Sequence, residues 1–317
     1  MTTTPHSLPA DWLRPVGDLG LTITAVTVGG SPLGAIEPAS EGVATARAAL
    51  ESPIRALDTS NGYADGDSER RIGEALAALG GLPEDFLVLT KVDPRGSDYS
   101  GARVHASIAE SRERLGLDEL PLVHLHDPEF HAFEEITAPG GAVDTLVALR
   151  EAGEVGAIGL AGGDSRVMAR YLDLGVFDVL LTHSRWSLLD RSAGDIIDQA
   201  LGQGMAVFNA AVYGAGILAK SAQGNTSYGY RQAPPELVEA ARAMDAVCEA
   251  HGTDLRTAAL QFSTRDPRFA TTIVGMSHPD RVAATVESAS AVLPEEIWAE
   301  LEALLPPRRV WLDSREG

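Results

Sequence analysis

Short apolar runs alternate with longer amphipathic ones along almost the whole chain. Eight runs stand out: ITAVTVGG (23–30), IRALDTS (54–60), FLVLTKV (86–92), LPLVHLHD (120–127), GAIGLAG (156–162), FDVLLTHS (177–184), MAVFNAAV (205–212) and ATTIVGMS (270–277). Most are apolar nearly throughout, as strands buried on both faces are, and they lack the strict polar alternation of a half-exposed sheet. Between them SERRIGEALAAL, ARVHASIAESRERLG, AVDTLVALREAG, SRVMARYLDLG, GDIIDQALGQG and PELVEAARAMDAVCEAHG space their apolar residues as helices do, with Val104, Ile108 and Leu115 sharing one face. Gly116, Gly153, Gly175 and Gly252 close four of these segments, where a helix commonly ends in a left-handed residue. Eight strand and helix units require a parallel sheet covered on its outer face, and a closed (β/α)8 barrel fits eight units better than a doubly wound sheet. No Pro/Ser-rich linker interrupts them, so the pattern predicts one barrel domain over residues 1–317. Ahead of the first unit VGDLGLTIT predicts a hairpin plugging the barrel's N-terminal end. After the last, LPEEIWAELEALLPP predicts an added helix and RRVWLDSREG a tail.

Composition then removes several function classes. No apolar run approaches the ~20 residues of a bilayer span, and MTTTPHSLPADWLRP has neither the basic nor the apolar region of a secretory signal. The expectation is a soluble cytoplasmic protein. With 25 basic and 45 acidic residues, the net charge of −20 opposes binding to nucleic acid or anionic lipid. The single cysteine, Cys248, falls on the apolar face of a helical segment, which predicts a buried structural thiol. Only Lys91 and Lys220 are lysines among the basic residues. Lysine differs from arginine in offering a compact charge with a readily shifted pKa, so these two are either functional or ordinary surface residues.

A barrel's chemistry sits where strands run into the following loops. Those ends carry Ser31, then Asp58 and Tyr63, then Lys91 and Asp93, then His124, His126 and Asp127, and finally His183. Phenol, ammonium, carboxylate and imidazole on one mouth form a proton-transfer set for carbonyl chemistry. An ammonium ~4 Å from the phenol favours phenolate by about 4 kcal/mol at an effective dielectric of ~20, at most about three pKa units. Asp58 would hold Lys91, and His126 would donate to a reacting oxygen. LVHLHDPEFH (122–131) also admits a metal reading, with His124 and His126 as paired ligands and His183 as a third.

ALDTSNGYADGDSERRIGEAL (56–76), LVLTKV (87–92), RLGLDELPLVHLHDP (114–128), GEVGAIGL (153–160), VYGAGILA (212–219) and IVGMSHPDRV (273–282) together resemble the aldo-keto reductases. The Asp-x4-Tyr element followed by Ser-Glu-Arg is the most specific part. HDP and SRWSLLDRSA (184–193) resemble the L-fucose and D-threo-aldose 1-dehydrogenase branch, which includes pyridoxal 4-dehydrogenases. The resemblance implies a TIM barrel that binds NAD or NADP without a Rossmann fingerprint, and a catalytic tetrad of Asp58, Tyr63, Lys91 and His126. It implies cofactor contacts from Asp58, His183, Tyr213, Gly214, Gly216, Leu218, Lys220, Gly275, Ser277 and Arg281, and substrate contacts from Ser31, Tyr63 and His126. No metal is implied, because a metal site leaves Tyr63, Lys91 and GMSHPDR without a role. His124 then reads as a hydrogen-bonded histidine in the core or just behind the site, and His131 as a solvated loop residue.

The chain departs from the usual family pattern around the cofactor. Ala161, Gly162 and His183 stand where many members have Ser, Asn and Gln for the nicotinamide amide, and Ala210 where many stack a tyrosine on the ring. Tyr213 reaches the cofactor only if its loop folds back. Gly275 and Met276 replace a Lys-Ser pair that grips the 2′-phosphate of NADP, while Arg281 remains. NAD is therefore slightly favoured. The expected reaction is reversible hydride transfer between nicotinamide C4 and a sugar or aldehyde carbon, with Tyr63 exchanging the proton and an aldose 1-dehydrogenase expected first. A carbonyl or pyridoxal enzyme of the same family, a non-catalytic nucleotide-binding barrel and a metal-dependent hydrolase are the alternatives.

Overall fold

The apolar runs form strands because their neighbours cover both faces. A computed structural model of the chain describes residues 12–220 and 224–314. A hairpin of β1 (Leu13–Pro15) and β2 (Thr22–Thr24) comes first. Eight parallel strands follow: β3 (Val26–Gly29), β4 (Ala56–Asp58), β5 (Leu87–Val92), β6 (Val123–His126), β7 (Ile158–Gly162), β8 (Val179–His183), β9 (Ala206–Ala210) and, after a two-residue-per-strand hairpin β10 (Ser227–Tyr228) and β11 (Arg231–Gln232), β12 (Phe269–Gly275). They close into a barrel in the order β12-β3-β4-β5-β6-β7-β8-β9. The expected (β/α)8 barrel is thus present. The first apolar run proves composite, since residues 22–24 belong to the hairpin and only Val26–Gly29 enters the barrel.

Alternation along each strand sorts the core in two. Outward residues such as Val28, Leu57, Val88, Val123 and Leu180 pack under the helices, while Ala56, Leu89, Leu122, Val179, Leu181 and Phe208 fill the barrel interior. Val16 and Ile23 of the hairpin join that interior cluster, which plugs the N-terminal end as expected. Counting on by two from the interior residues gives the functional positions: Ala56 to Asp58, Leu89 to Lys91, Leu122 to His124 and His126, Leu181 to His183. The period of two therefore aims Asp58, Lys91, His126 and His183 into the mouth, with His124 one layer deeper in the barrel.

Each helical segment in the sequence pattern forms, and Gly116 takes φ 66° to end Gly101–Leu115. The helices Ala39–Leu50, Leu255–Thr264 and Pro279–Ser290 escaped the pattern. Their buried faces are mainly Ala, Gly, Ser and Thr, which leave a faint apolar stripe. Cys248 is buried in a helix, as expected. The tail packs back on the barrel: Arg185 Nε donates to both oxygens of Asp313 at 2.9 Å, Asp313 accepts from the Ser165 backbone at 3.0 Å, and Asp190 accepts from Leu312 at 2.7 Å.

Candidate active site

At the C-terminal ends of the strands a cavity of about 550 Å³ brings together Ser31, Asp58, Tyr63, Lys91, His126, Asp127, His183, Tyr213, Tyr230 and Gly275. The Lys91 ammonium, 2 % exposed, donates to Asp58 Oδ1 and to the Thr59 carbonyl, each at 2.6 Å. It also lies 4.9 Å from the centre of the Tyr63 ring, and Tyr63 meets His126 edge to face at 5.5 Å. All four members of the sequence-derived tetrad line this cavity.

Burial decides the charge states. It opposes the ammonium of Lys91, yet Asp58, Tyr63 and Asp93 outweigh it and raise that pKa. Asp58 is raised because burial exceeds the attraction of Lys91. Tyr63 is pushed up to about 12, again by burial, with Lys91 pulling down and Asp58 pushing up. This corrects the expectation of a lowered phenol: desolvation of a phenolate costs more here than one ammonium returns, particularly with a carboxylate beside it.

The turn that presents Tyr63 is itself locked. Ser68 Oγ donates to the Gly30 carbonyl at 2.8 Å, Glu69 accepts from Thr90 at 2.7 Å and pairs with Arg114 at 3.2 Å, and Arg71 donates to the Ile36 carbonyl at 2.7 Å. Arg114 also donates to the Asn61 carbonyl at 3.0 Å. Ser68, Glu69 and Arg71 of the run following the tyrosine therefore act as a scaffold, while Arg70 pairs with Asp67 at the surface.

Across the mouth, His126 Nδ1 lies 2.7 Å from Asp93 Oδ1 and 3.1 Å from Ser60 Oγ. Gly62 N donates to Asp93 Oδ2 at 2.8 Å, and the Ser60 hydroxyl donates to the same oxygen. Asp93 stood among the strand-end residues in the sequence without an assigned role, although its parity with Lys91 aims it into the same mouth. Ser60, Asp127 and Tyr230 were likewise left without a role.

The two histidines of HLH separate. His124 is fully buried, 6.1 Å from Phe208, and burial holds its pKa well below the ordinary value. A β-carbon on Gly159 would fall 2.3 Å from His124 Cδ2, so the neighbouring strand leaves space for that ring. His131 is half-buried against Tyr99 at 5.3 Å, packed where a solvated side chain was expected. His183 is lowered to about 4, chiefly by burial, and its Nδ1 is buried without a protein partner. Among the described residues Asp127, Glu129 and His183 bring ligand atoms within 4.8 Å of one another. This grouping is not the His124, His126 and His183 set considered from sequence, in which His126 Nδ1 is already taken by Asp93.

The cavity continues past Ala210, Ala211, Tyr213, Ala215 and Gly216 to Gly275. Tyr213 thus does line it, because Ala211 adopts φ 55° and turns the loop inward. Gly214 and Leu218 are buried instead, Leu218 in a cluster with Ile217 and Leu237. Neither lines the cavity. Ser277 and Arg281 are exposed beyond Gly275 and outside its lining. The Lys220 side chain lies outside the described residues.

The sequence profile of the aldo/keto reductase family matches residues 25–306. L-galactose dehydrogenase of Arabidopsis thaliana is 34% identical over 307 residues, covering 93% of this chain and 94% of that protein. D-threo-aldose 1-dehydrogenase of a Pseudomonas species is 32% identical, with 91% of this chain and 96% of that protein covered. The holo form of an aldo-keto reductase from Bacillus halodurans superposes with a TM-score of 0.78 over 96% of this chain and 99% of that one, at 23% identity.

Proposed function

The chain belongs to the aldo/keto reductase family, and on that premise we propose that this oxidoreductase is an aldose 1-dehydrogenase with Asp58, Tyr63, Lys91 and His126 as its catalytic tetrad. The observation that carries the reading is the buried Asp58–Lys91 pair beside Tyr63, opposite His126, on the wall of one deep cavity.

The cavity fits a dinucleotide. His183 offers a buried ring nitrogen with no protein partner, and Tyr213, Gly216 and Gly275 form a wall with little side-chain bulk around Tyr213. When bound, the nicotinamide supplies a hydride acceptor or donor. His126 faces the reacting oxygen, and Tyr63 exchanges its proton. With its pKa at about 12, Tyr63 is a neutral phenol near neutrality and is ready to donate in reduction. In oxidation it must first lose that proton, so its usable fraction grows about tenfold per pH unit below 12.

For the nucleotide we favour NAD. His278 caps the helix Pro279–Ser290 by accepting from Asp280 N, and its ring nitrogens lie 3.4 Å from Glu41 and from Asp280. Two carboxylates beside that histidine oppose a 2′-phosphate, and Met276, where a cation would help, is buried.

The test is Tyr63→Phe, assayed in both directions with aldoses such as L-galactose and with simple aldehydes. Turnover should fall by well over a hundredfold while dinucleotide binding persists, and wild-type oxidation should climb with pH far more steeply than reduction. Retention of more than about a tenth of wild-type kcat, a barrier change under ~1.4 kcal/mol, ends the assignment.

A further inference from the structure

We propose that Asp93 is a positioning residue that keeps His126 in its imidazolium form, so that Nε2 meets the substrate oxygen as a charged hydrogen-bond donor. This rests on the reading above, in which His126 faces the reacting oxygen.

The argument is one of proton counting. An ionised carboxylate only accepts hydrogen bonds, so the 2.7 Å contact between Asp93 Oδ1 and His126 Nδ1 requires the proton on Nδ1. Ser60 agrees with this. Its single hydroxyl proton goes to Asp93 Oδ2, leaving its oxygen as a second acceptor 3.1 Å from Nδ1. A neutral imidazole has only one N–H. With Nδ1 protonated, a neutral His126 would present a lone pair at Nε2 and could only accept from substrate. Donation from Nε2 therefore requires the doubly protonated ring.

The surroundings are built to keep Asp93 anionic. Gly62 N donates to Oδ2 at 2.8 Å, and a β-carbon at that position would fall 2.8 Å from Asp93 Cγ, so any larger residue there displaces the carboxylate from His126. The Asn-Gly of the tyrosine turn thus acquires a chemical purpose. Tyr99 Oη accepts from the His126 backbone N–H at 2.8 Å, which fixes the strand end.

The charged and titratable groups around the ring come from several elements. Asp93 and Lys91 arrive from β5 and its loop, Asp58 from β4 and Tyr63 from the turn after it. His183 comes from β8, His124 from one layer below, and Asp127 follows directly with Oδ2 3.8 Å from Nε2. Burial opposes the imidazolium, Asp93 and Asp127 favour it, and Lys91 opposes it; the balance raises His126 and lowers Asp93. His124 is held neutral by burial and adds no charge. In either direction the transition state places negative charge on the substrate oxygen, where a cationic donor gives more than a neutral one. Tyr63 remains the group that exchanges the proton, and His126 keeps its own.

The test follows the eight histidines by NMR in free protein carrying labelled histidine, with His126 assigned through its missing signal in His126→Gln. In the wild type His126 should titrate above the ordinary histidine value of about 6.5. In Asp93→Asn it should titrate lower by roughly one unit or more, and the alkaline limb of kcat/KM for carbonyl reduction should move down with it. A wild-type His126 that titrates at or below the ordinary value overturns the proposal, even if Asp93→Asn does not fold. A folded Asp93→Asn that moves neither titration nor pH profile overturns it as well. Active Tyr63→Phe protein would instead sink the functional reading and leave the titration untouched, so the two failures are distinguishable.

Discussion

Lys91→Met separates the electrostatics of the site from its fold. Methionine fills a similar volume without the charge, and the change strips Asp58 of its Lys91 partner in a pocket where Lys91 and Asp58 are 2 % and 4 % exposed. Removing one member of a buried ion pair costs about 3–5 kcal/mol, because the survivor is left charged and dry. Asp58 escapes that cost only by taking a proton. Its pKa, already raised by burial, must rise further, and a carboxyl raised in the folded state contributes stability below its unfolded value that is lost as pH climbs through the folded one. The variant should therefore be closest to wild type in acid and weakest at neutral and higher pH. Asp58→Asn combined with Lys91→Met should recover most of the stability, since no buried charge remains. Activity follows a different rule. At 4.9 Å from the phenol ring and an effective dielectric of about 20, the ammonium stabilises phenolate by about 3 kcal/mol, roughly two orders of magnitude in rate. Both variants should be slow by that factor or more. Urea unfolding at several pH values, paired with steady-state oxidation of an aldose, measures both effects. A single variant as stable as wild type at pH 8, or a double variant that regains activity, refutes the reasoning.

NAD should be used at least as well as NADP, measured as kcat/KM at saturating sugar; a hundredfold preference for NADP would mean that Arg281 alone grips the phosphate. Dialysis against a chelator should leave activity and Tm unchanged despite the Asp127, Glu129 and His183 grouping, and activity lost and then restored by added metal would reverse that. Glu110 is lowered to about 2, first by its bonds to Arg103 at 2.8 and 3.0 Å. Its contribution is present above the usual carboxylate range and fades as pH falls from about 4.5 toward 2, so Glu110→Gln should cost about 1.5–3 kcal/mol at pH 7 and little near pH 2, read from denaturant midpoints.

Much of the site was legible because strand parity is written in the sequence. Asp58, Lys91, His126 and His183 each stand at the polar end of an apolar run, and a barrel sends such positions to one mouth. Pairing was not legible. That Asp93 meets His126 depends on how β5 and β6 align and on the turn carrying Ser60 and Gly62, none of which a linear pattern records. The sign of Tyr63's shift was missed for a related reason: the attraction of Lys91 follows from residue types, whereas the desolvation that overrides it follows from what encloses the ring. Leu218 and Gly214 were expected beside Tyr213 and Gly216, but the turn at Ala211 brings only Tyr213 and Gly216 to the cavity wall and leaves the other two in the packing. Helices faced with small residues escaped because periodicity needs bulk to be visible.

The barrel's seam has a consequence for how the molecule is made. β3 pairs with β12, and a buried Thr27–Thr271 hydroxyl contact at 2.8 Å stitches the first barrel strand to the last. During synthesis at about 5–20 residues per second, the earlier strands wait with two open edges until Gly275 leaves the ribosome. A nascent chain has no enclosed mouth and hence no reductase chemistry to misdirect, but it exposes unpaired strands to its neighbours throughout that interval. Expression yield, more than the stability of the finished barrel, should thus be the trait most sensitive to substitutions along this seam.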